Sequence, residues 1–185
     1  MKRALPGLLA ILLALATACG GGGNSSGGGG GSTNLNASFT ADEPNPGSKT
    51  ISLSQGSNTN DMVTVRVDVT DTNGIFGAAF DLLYDPAIAT FVNWSAGTVL
   101  EQGGGSGSYQ VGATQSGRLV VGASRQGGDS GTDVSGTKAL ILLTFRMTQA
   151  GSSAAVFDNA ALLDDSIQPQ PIPGLSLFGG TLVAN

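Results

Sequence analysis

The sequence predicts an all-β fold, a sandwich or barrel of about nine short strands. Three observations point there. Val63, Val65, Val67 and Val69 alternate with Thr64, Arg66, Asp68 and Thr70, the period of a half-buried strand. No stretch from Leu35 onward repeats its apolar residues at helical spacing. Gly- and Pro-containing segments such as Asp71 to Gly74, Asp85-Pro86, Gln102 to Gly107 and Ser116-Gly117 separate the short apolar runs, where turns are needed. A body of about 150 residues suits one sandwich core.

Each element follows in order. Thr50 to Ser54 is the first expected strand, and Met62 to Thr70 is the valine strand. Asp71-Thr72-Asn73-Gly74 reads as a turn. Ile75 to Tyr84 is expected to place Phe76, Ala78, Phe80, Leu82 and Tyr84 on one face and Gly77, Ala79, Asp81 and Leu83 on the other. Asp85-Pro86 ends it, because proline has no ladder donor. Thr90 to Ser95 carries Trp94. Gln102 to Gly107 is a loop. Tyr109 to Gln115 and Leu119 to Ser124 are neighbours across the Ser116-Gly117 turn. Gly127 to Gly136 is a second loop. Ala139 to Thr148 and Ala154 to Leu163 are strands, and Leu175 to Val183 closes the chain after the segment Pro169 to Pro173.

The N-terminus reads as an address. Lys2 and Arg3 precede an apolar run, Leu5 to Leu15, too short for an ordinary membrane-spanning helix of about 20 residues. Ala16-Thr17-Ala18-Cys19 then resembles the lipobox of bacterial lipoproteins, with Ala16 where Leu is usual. The resemblance implies lipidation of Cys19, the only Cys in the chain. Gly20 to Gly31 contains only Gly, Asn and Ser, a flexible coil spanning roughly 20 Å. The expected organisation is a signal peptide over 1–18, a lipidated Cys and tether over 19–34, and a sandwich domain over 35–185. The expected location is the cell envelope, at the outer membrane or cell surface, with the lipid as the only membrane contact.

Composition excludes several chemistries. With no His, the chain has no His-based triad, no His-ligated zinc and no histidine pH switch. One Cys allows no internal disulfide. A net charge of -5 disfavours nucleic acid as a partner. Only two Glu are present, Glu43 and Glu101, and no carboxylate pair has a glycosidase setting. Gly103 to Gly107 has neither a following Lys nor a helix to make a phosphate loop. The chain is read as no enzyme. No cofactor is expected. Asp129, Asp133, Asp158, Asn159, Asp164 and Asp165 have the oxygen chemistry of a structural calcium site but no EF-hand spacing.

Four stretches carry a resemblance to the cohesin family, the modules that bind dockerins in cellulosomes. They are Met62 to Thr70; Gly74 to Pro86, ending in a Tyr84-Asp85-Pro86 corner; Gly117 to Ala123; and Gly136 to Phe145, followed by Val156 to Ala160 and the terminal Gly-Gly-Thr-Leu-Val strand. The resemblance implies a nine-stranded jelly-roll sandwich without catalysis. It also implies a dockerin lying across one sheet face. The outward positions before the corner are Gly77 and Ala79, which offer no side-chain hydrogen bonds. The expected partner face is therefore flatter and more apolar, built from Ala79, Asp81, Leu83, Thr144 and Arg146 and suited to a helical partner. The corner residues Tyr84, Asp85 and Pro86 are read as structural. Two alternatives stand beside this. One is a carbohydrate-binding module capturing polysaccharide through Trp94 and Tyr109, with Phe91 better placed in the core. The other is a structural protein of the envelope.

Overall fold

Period-two burial governs the described chain, residues 34–126 and 130–185 of the computed structural model. The strands are β1 (Ala37–Ala41), β2 (Thr50–Thr59), β3 (Met62–Ile75), β4 (Gly77–Leu83), β5 (Ala89–Ala96), β6 (Ser106–Gln115), β7 (Arg118–Gln126), β8 (Thr132–Met147), β9 (Gly151–Leu163), β10 (Ser176–Phe178) and β11 (Gly180–Ala184). They form a six-stranded sheet, β1-β11-β9-β4-β7-β6, and a five-stranded sheet, β10-β2-β3-β8-β5. Every pair is antiparallel except β10 with β2. Thr33–Asn185 form one compact unit. The signal segment, Cys19 and the tether lie outside the described residues.

The core lies between the two sheets. From the five-stranded sheet, Val63, Val65, Val67 and Val69 of β3 and Ile141, Leu143, Phe145 and Met147 of β8 point inward. Ala78, Phe80 and Leu82 of β4 and Leu119 and Val121 of β7 meet them. Each large side chain so buried contributes about 1.5–3 kcal/mol. Phe145 takes edge-on contacts from Tyr84 at 5.2 Å and Phe91 at 5.9 Å between ring centroids. Val99 and Leu100, from the segment after β5, are fully buried and add to the same core.

The all-β sandwich is as the sequence predicts, with eleven strands among the described residues in place of nine. One extra strand is β1, whose ASFTA sequence is too short to show a period. The other arises because the expected strand Leu175 to Val183 is two strands in different sheets. They meet at Gly179, where a Cβ would lie 2.4 Å from the Ala155 carbonyl oxygen. A second crossing separates β3 from β4 at Phe76, whose N–H donates to the Leu163 carbonyl at 2.8 Å.

The expected turn Asp71 to Gly74 is also different: β3 runs through it to Ile75, paired with β8 from Thr132. Irregularities in that pairing absorb the turn-forming residues, with φ of 40° at Asp71 and 67° at Gly74. Two carboxylates hold the irregular backbone. Asp71 accepts from the Gly136 N–H at 2.6 Å, and Asp133 accepts from the Gly74 N–H at 2.8 Å. Much of the loop expected over 127–136 is therefore strand.

The corner after β4 is structural in detail. Asp85 Oδ1 accepts from the Ala87 N–H at 2.8 Å, the Asp85 N–H donates to Ser153 Oγ at 2.8 Å, and the Tyr84 N–H donates to the Gly117 carbonyl at 2.9 Å. These bonds tie the corner to β9 and to the β6–β7 turn. Phe145→Ala is expected to cost about 3–5 kcal/mol, because it empties the contact between the layers. Urea unfolding of residues 33–185 checks this.

Candidate protein-binding face

The outer face of the six-stranded sheet is built in rows by strand register. Leu83 of β4 lies between Arg118 of β7 and Val156 of β9. Asp81 lies between Val120 and Asp158, and Ala79 between Gly122 and Ala161. The residues that alternate with these on β4, namely Ala78, Phe80 and Leu82, are in the core. The face is thus fixed by the same alternation that makes the core.

One ionic group crosses three strands. The Arg118 guanidinium donates to Asp81 and, at 2.7 Å, to Asp158 Oδ2. The Asp158 hydrogen bond and the two carboxylate charges raise the Arg118 pKa above its ordinary value, against a smaller opposing effect of desolvation. Around this group sit Ala79, Leu83, Val120 and Val156, the last 42% exposed. Between β4, β7 and β6 the face sinks into a shallow concavity of about 450 Å³ lined by Ala79, Gln110, Gly112, Thr114, Val120 and Gly122. It is open because no atom lies within 4 Å of where Gly112 or Gly122 would carry a Cβ.

The structure divides the expected five-residue face. Ala79, Asp81 and Leu83 lie together. Thr144 and Arg146 are on β8, in the other sheet. They alternate with the buried Phe145 and Met147, so they point away from the core on the opposite side of the sandwich. There Thr144 bonds the Thr64 hydroxyl at 3.2 Å, and Arg146 pairs with Asp61 at 3.3 Å. In their place the register supplies Arg118 and Asp158, which are not among the face residues the sequence predicts. The Ser116-Gly117 turn was the available signal for Arg118, since it sets the β6–β7 hairpin that begins there. Gly77 is held by packing: a Cβ would come within 2.8 Å of the Ala123 carbonyl oxygen.

Trp94 and Tyr109 do come together, at the side of the sandwich where β5 and β6 are the last strands. Their ring centroids are 5.5 Å apart and the planes are tilted by 40°. The rings cover one another and do not form a coplanar platform. Tyr109 lies opposite Ala123 on the inward side, and its hydroxyl is buried with no hydrogen-bond partner among the described residues. Burial, then the Glu101 charge, push the phenol up to about 12. The glycines before it have a packing role. A Cβ at Gly105 would lie 2.4 Å from the guanidinium carbon of buried Arg125, and one at Gly107 would lie 2.5 Å from the Tyr109 ring.

The oxygen-rich acids serve the backbone. Asp165 accepts from the Gly131 N–H at 2.9 Å. Asp164 accepts from the Gln170 N–H at 2.8 Å and the Ser166 hydroxyl at 2.7 Å, and these bonds hold its pKa below the ordinary value. Asn159 adopts φ of 51° on β9, beside the irregularity in its pairing with β4. Among the described residues no group of three or more such side chains is placed to hold a metal ion. Asp129 lies outside them.

No curated protein matches this sequence. The cohesin domain family model matches residues 48–172. The chain belongs to the cohesin domain family. Cohesins are non-catalytic protein-interaction modules, and the chain is a module of that kind. Solved cohesins share the fold at low identity. The second type II cohesin module of an adaptor scaffoldin from Acetivibrio cellulolyticus is 12% identical, with 80% of this chain and 88% of that one covered and a TM-score of 0.55. A type II cohesin–X-dockerin complex from the same organism gives 14% identity, 77% and 94% coverage and 0.54. The cohesin module of a family 33 glycoside hydrolase from Clostridium perfringens gives 7%, 80% and 94%, and 0.51.

The Tyr109 phenol sets a pH dependence at the alkaline end. Its folded pKa of about 12 stands above the ordinary 10.0, so the folded state holds the proton more tightly. Stability is therefore unaffected by this group below pH 10 and falls as pH rises from there to 12. Tyr109→Phe is expected to reduce that alkaline loss in thermal melts taken across the range.

Proposed function

We propose that this cohesin is held at the cell envelope by lipidated Cys19 and docks a dockerin-type helical partner on the outer face of β9-β4-β7-β6. The observation that carries the docking site is the pairing of apolar rows, Leu83 with Val156 and Ala79 with Ala161, around the Asp81–Arg118–Asp158 group. A helix gains from this face by covering the apolar rows, while a polar side chain within its stripe meets the ionic group between them. The type II relative solved with an X-dockerin supports the partner class. The lipobox-like Ala16 to Cys19 and the Gly-, Asn- and Ser-only composition of Gly20 to Gly31 support the anchor. A tether of that composition would keep the face at high local concentration near the membrane. A role in polysaccharide degradation follows if the partner is a dockerin-bearing hydrolase.

Calorimetry with calcium-loaded dockerins from the same genome tests the face. Val156→Asp is expected to weaken binding by more than about tenfold, as loss of a central apolar contact does, with an unchanged thermal midpoint. Thr144→Asp, on the opposite surface, is expected to leave binding intact. Equal loss from both variants, or retention on insoluble polysaccharide with no dockerin bound, defeats the assignment.

The anchor has its own test. Cys19→Ser is expected to move the full chain from the membrane fraction to the soluble exported fraction. Unchanged fractionation would remove the lipid from the account.

A further inference from the structure

The two sheets end in four edge strands, and they are treated unequally. The free edge of β1 is met by groups from β2 and its hairpin. The Phe39 N–H donates to Gln55 Oε1 at 2.7 Å, Asn58 Nδ2 donates to the Ala37 carbonyl at 2.9 Å, and the Ala37 N–H donates to the Asn60 carbonyl at 2.6 Å. β10 is only 3 residues long. β5 is broken by an irregularity between Phe91 and Asn93. β6 has none of these defences over most of its length. It runs for 10 residues, SGSYQVGATQ, in regular register with β7 from Ser106 to Ala113. It carries no acidic or basic side chain and no proline, the devices by which exposed edges are normally blunted.

Its side chains are complementary to themselves. Ser108, Gln110 and Gly112 lie opposite Ser124, Gly122 and Val120 on the outer face. Tyr109, Val111 and Ala113 lie opposite Ala123, Val121 and Leu119 on the inner face. Antiparallel pairing of β6 with β6 of a second copy, about a two-fold axis at Val111, sets Val111 against Val111 of the second copy. It then sets Gln110 against Gly112 of the second copy and Tyr109 against Ala113 of the second copy. Each long side chain meets a short one. The incoming Gln110 overlies Gly112, where no atom lies within 4 Å of the missing Cβ, and enters the concavity of about 450 Å³. Val111, half-buried against the core, carries the apolar layer across the seam. The domain is acidic overall, yet this seam brings no charge against its like.

The geometry points to a homodimer in which β6 pairs antiparallel with β6 of a second copy around Val111. The pairing doubles the six-stranded sheet, satisfies the outward backbone groups of β6 and closes the assembly by two-fold symmetry. It sets two outer faces side by side, so the assembly presents two partner faces. It rests on the edge and its register, and stands whether or not the partner is a dockerin.

Residues 33–185, which contain no Cys, permit a direct test. Sedimentation equilibrium is expected to show a reversible dimer. Gly112→Glu has room in the monomer but places two carboxylates on the diagonal across the seam. It is expected to weaken the dimer by about tenfold or more with the thermal midpoint of the dilute protein unchanged. Val111→Cys is expected to form a disulfide-linked dimer under mild oxidation far faster than Val156→Cys. A wild-type protein that stays monomeric at millimolar concentration overturns the proposal. So does a dimer indifferent to Gly112→Glu, or a Val111→Cys that cross-links no faster than Val156→Cys.

Discussion

Phe145 joins the two layers, and much of the molecule is positioned by that contact. Its ring is fully buried on β8 and takes an edge from Tyr84, the first residue after β4 in the other sheet. Tyr84 so placed fixes the corner. The backbone N–H of Asp85 then reaches Ser153 of β9, and that of Tyr84 reaches the β6–β7 turn at Gly117. Those two bonds tie the corner to β9 and to the β6–β7 turn, and the ladders along β4 set β9 and β7 on either side of it. The outer face inherits its rows from this arrangement, so the candidate face is a consequence of how the core is packed.

The strands were legible because their alternation is local. The valines of β3 declare a buried side without reference to any other residue. What the sequence did not show is which sheet a strand joins. Ala79 and Thr144 both alternate with core residues and look equivalent along the chain. They belong to different sheets, so they point in opposite directions. The change of sheet happens at Phe76 and at Gly179, single residues inside runs that read as continuous strand. Gly179 is required by the nearby Ala155 carbonyl, a neighbour 24 positions away in sequence and invisible to local reading. Asp71 to Gly74 resembles a turn in sequence for a related reason. Residues that favour positive φ serve a bulged strand as well as a turn, and only the pairing with β8 distinguishes the two.

Gly77 shows how packing redistributes chemistry on the face. Its place leaves no room for a side chain beside the Ala123 carbonyl, and Ala79 adds only a methyl group. Hydrogen-bonding capacity at the centre of the face therefore comes from the flanking strands. Arg118 of β7 and Asp158 of β9 supply it, with Asp81 between them. This group is already satisfied within the domain. A partner on the proposed face would not gain by pairing with a free charge; it would share donors and acceptors that already have partners. On the proposed docking face, affinity would come mainly from covering Leu83 and Val156, and the ionic group would act chiefly on orientation and on rejecting partners with the wrong polarity. A face of this kind favours a partner with a continuous apolar stripe over one that relies on a few strong hydrogen bonds.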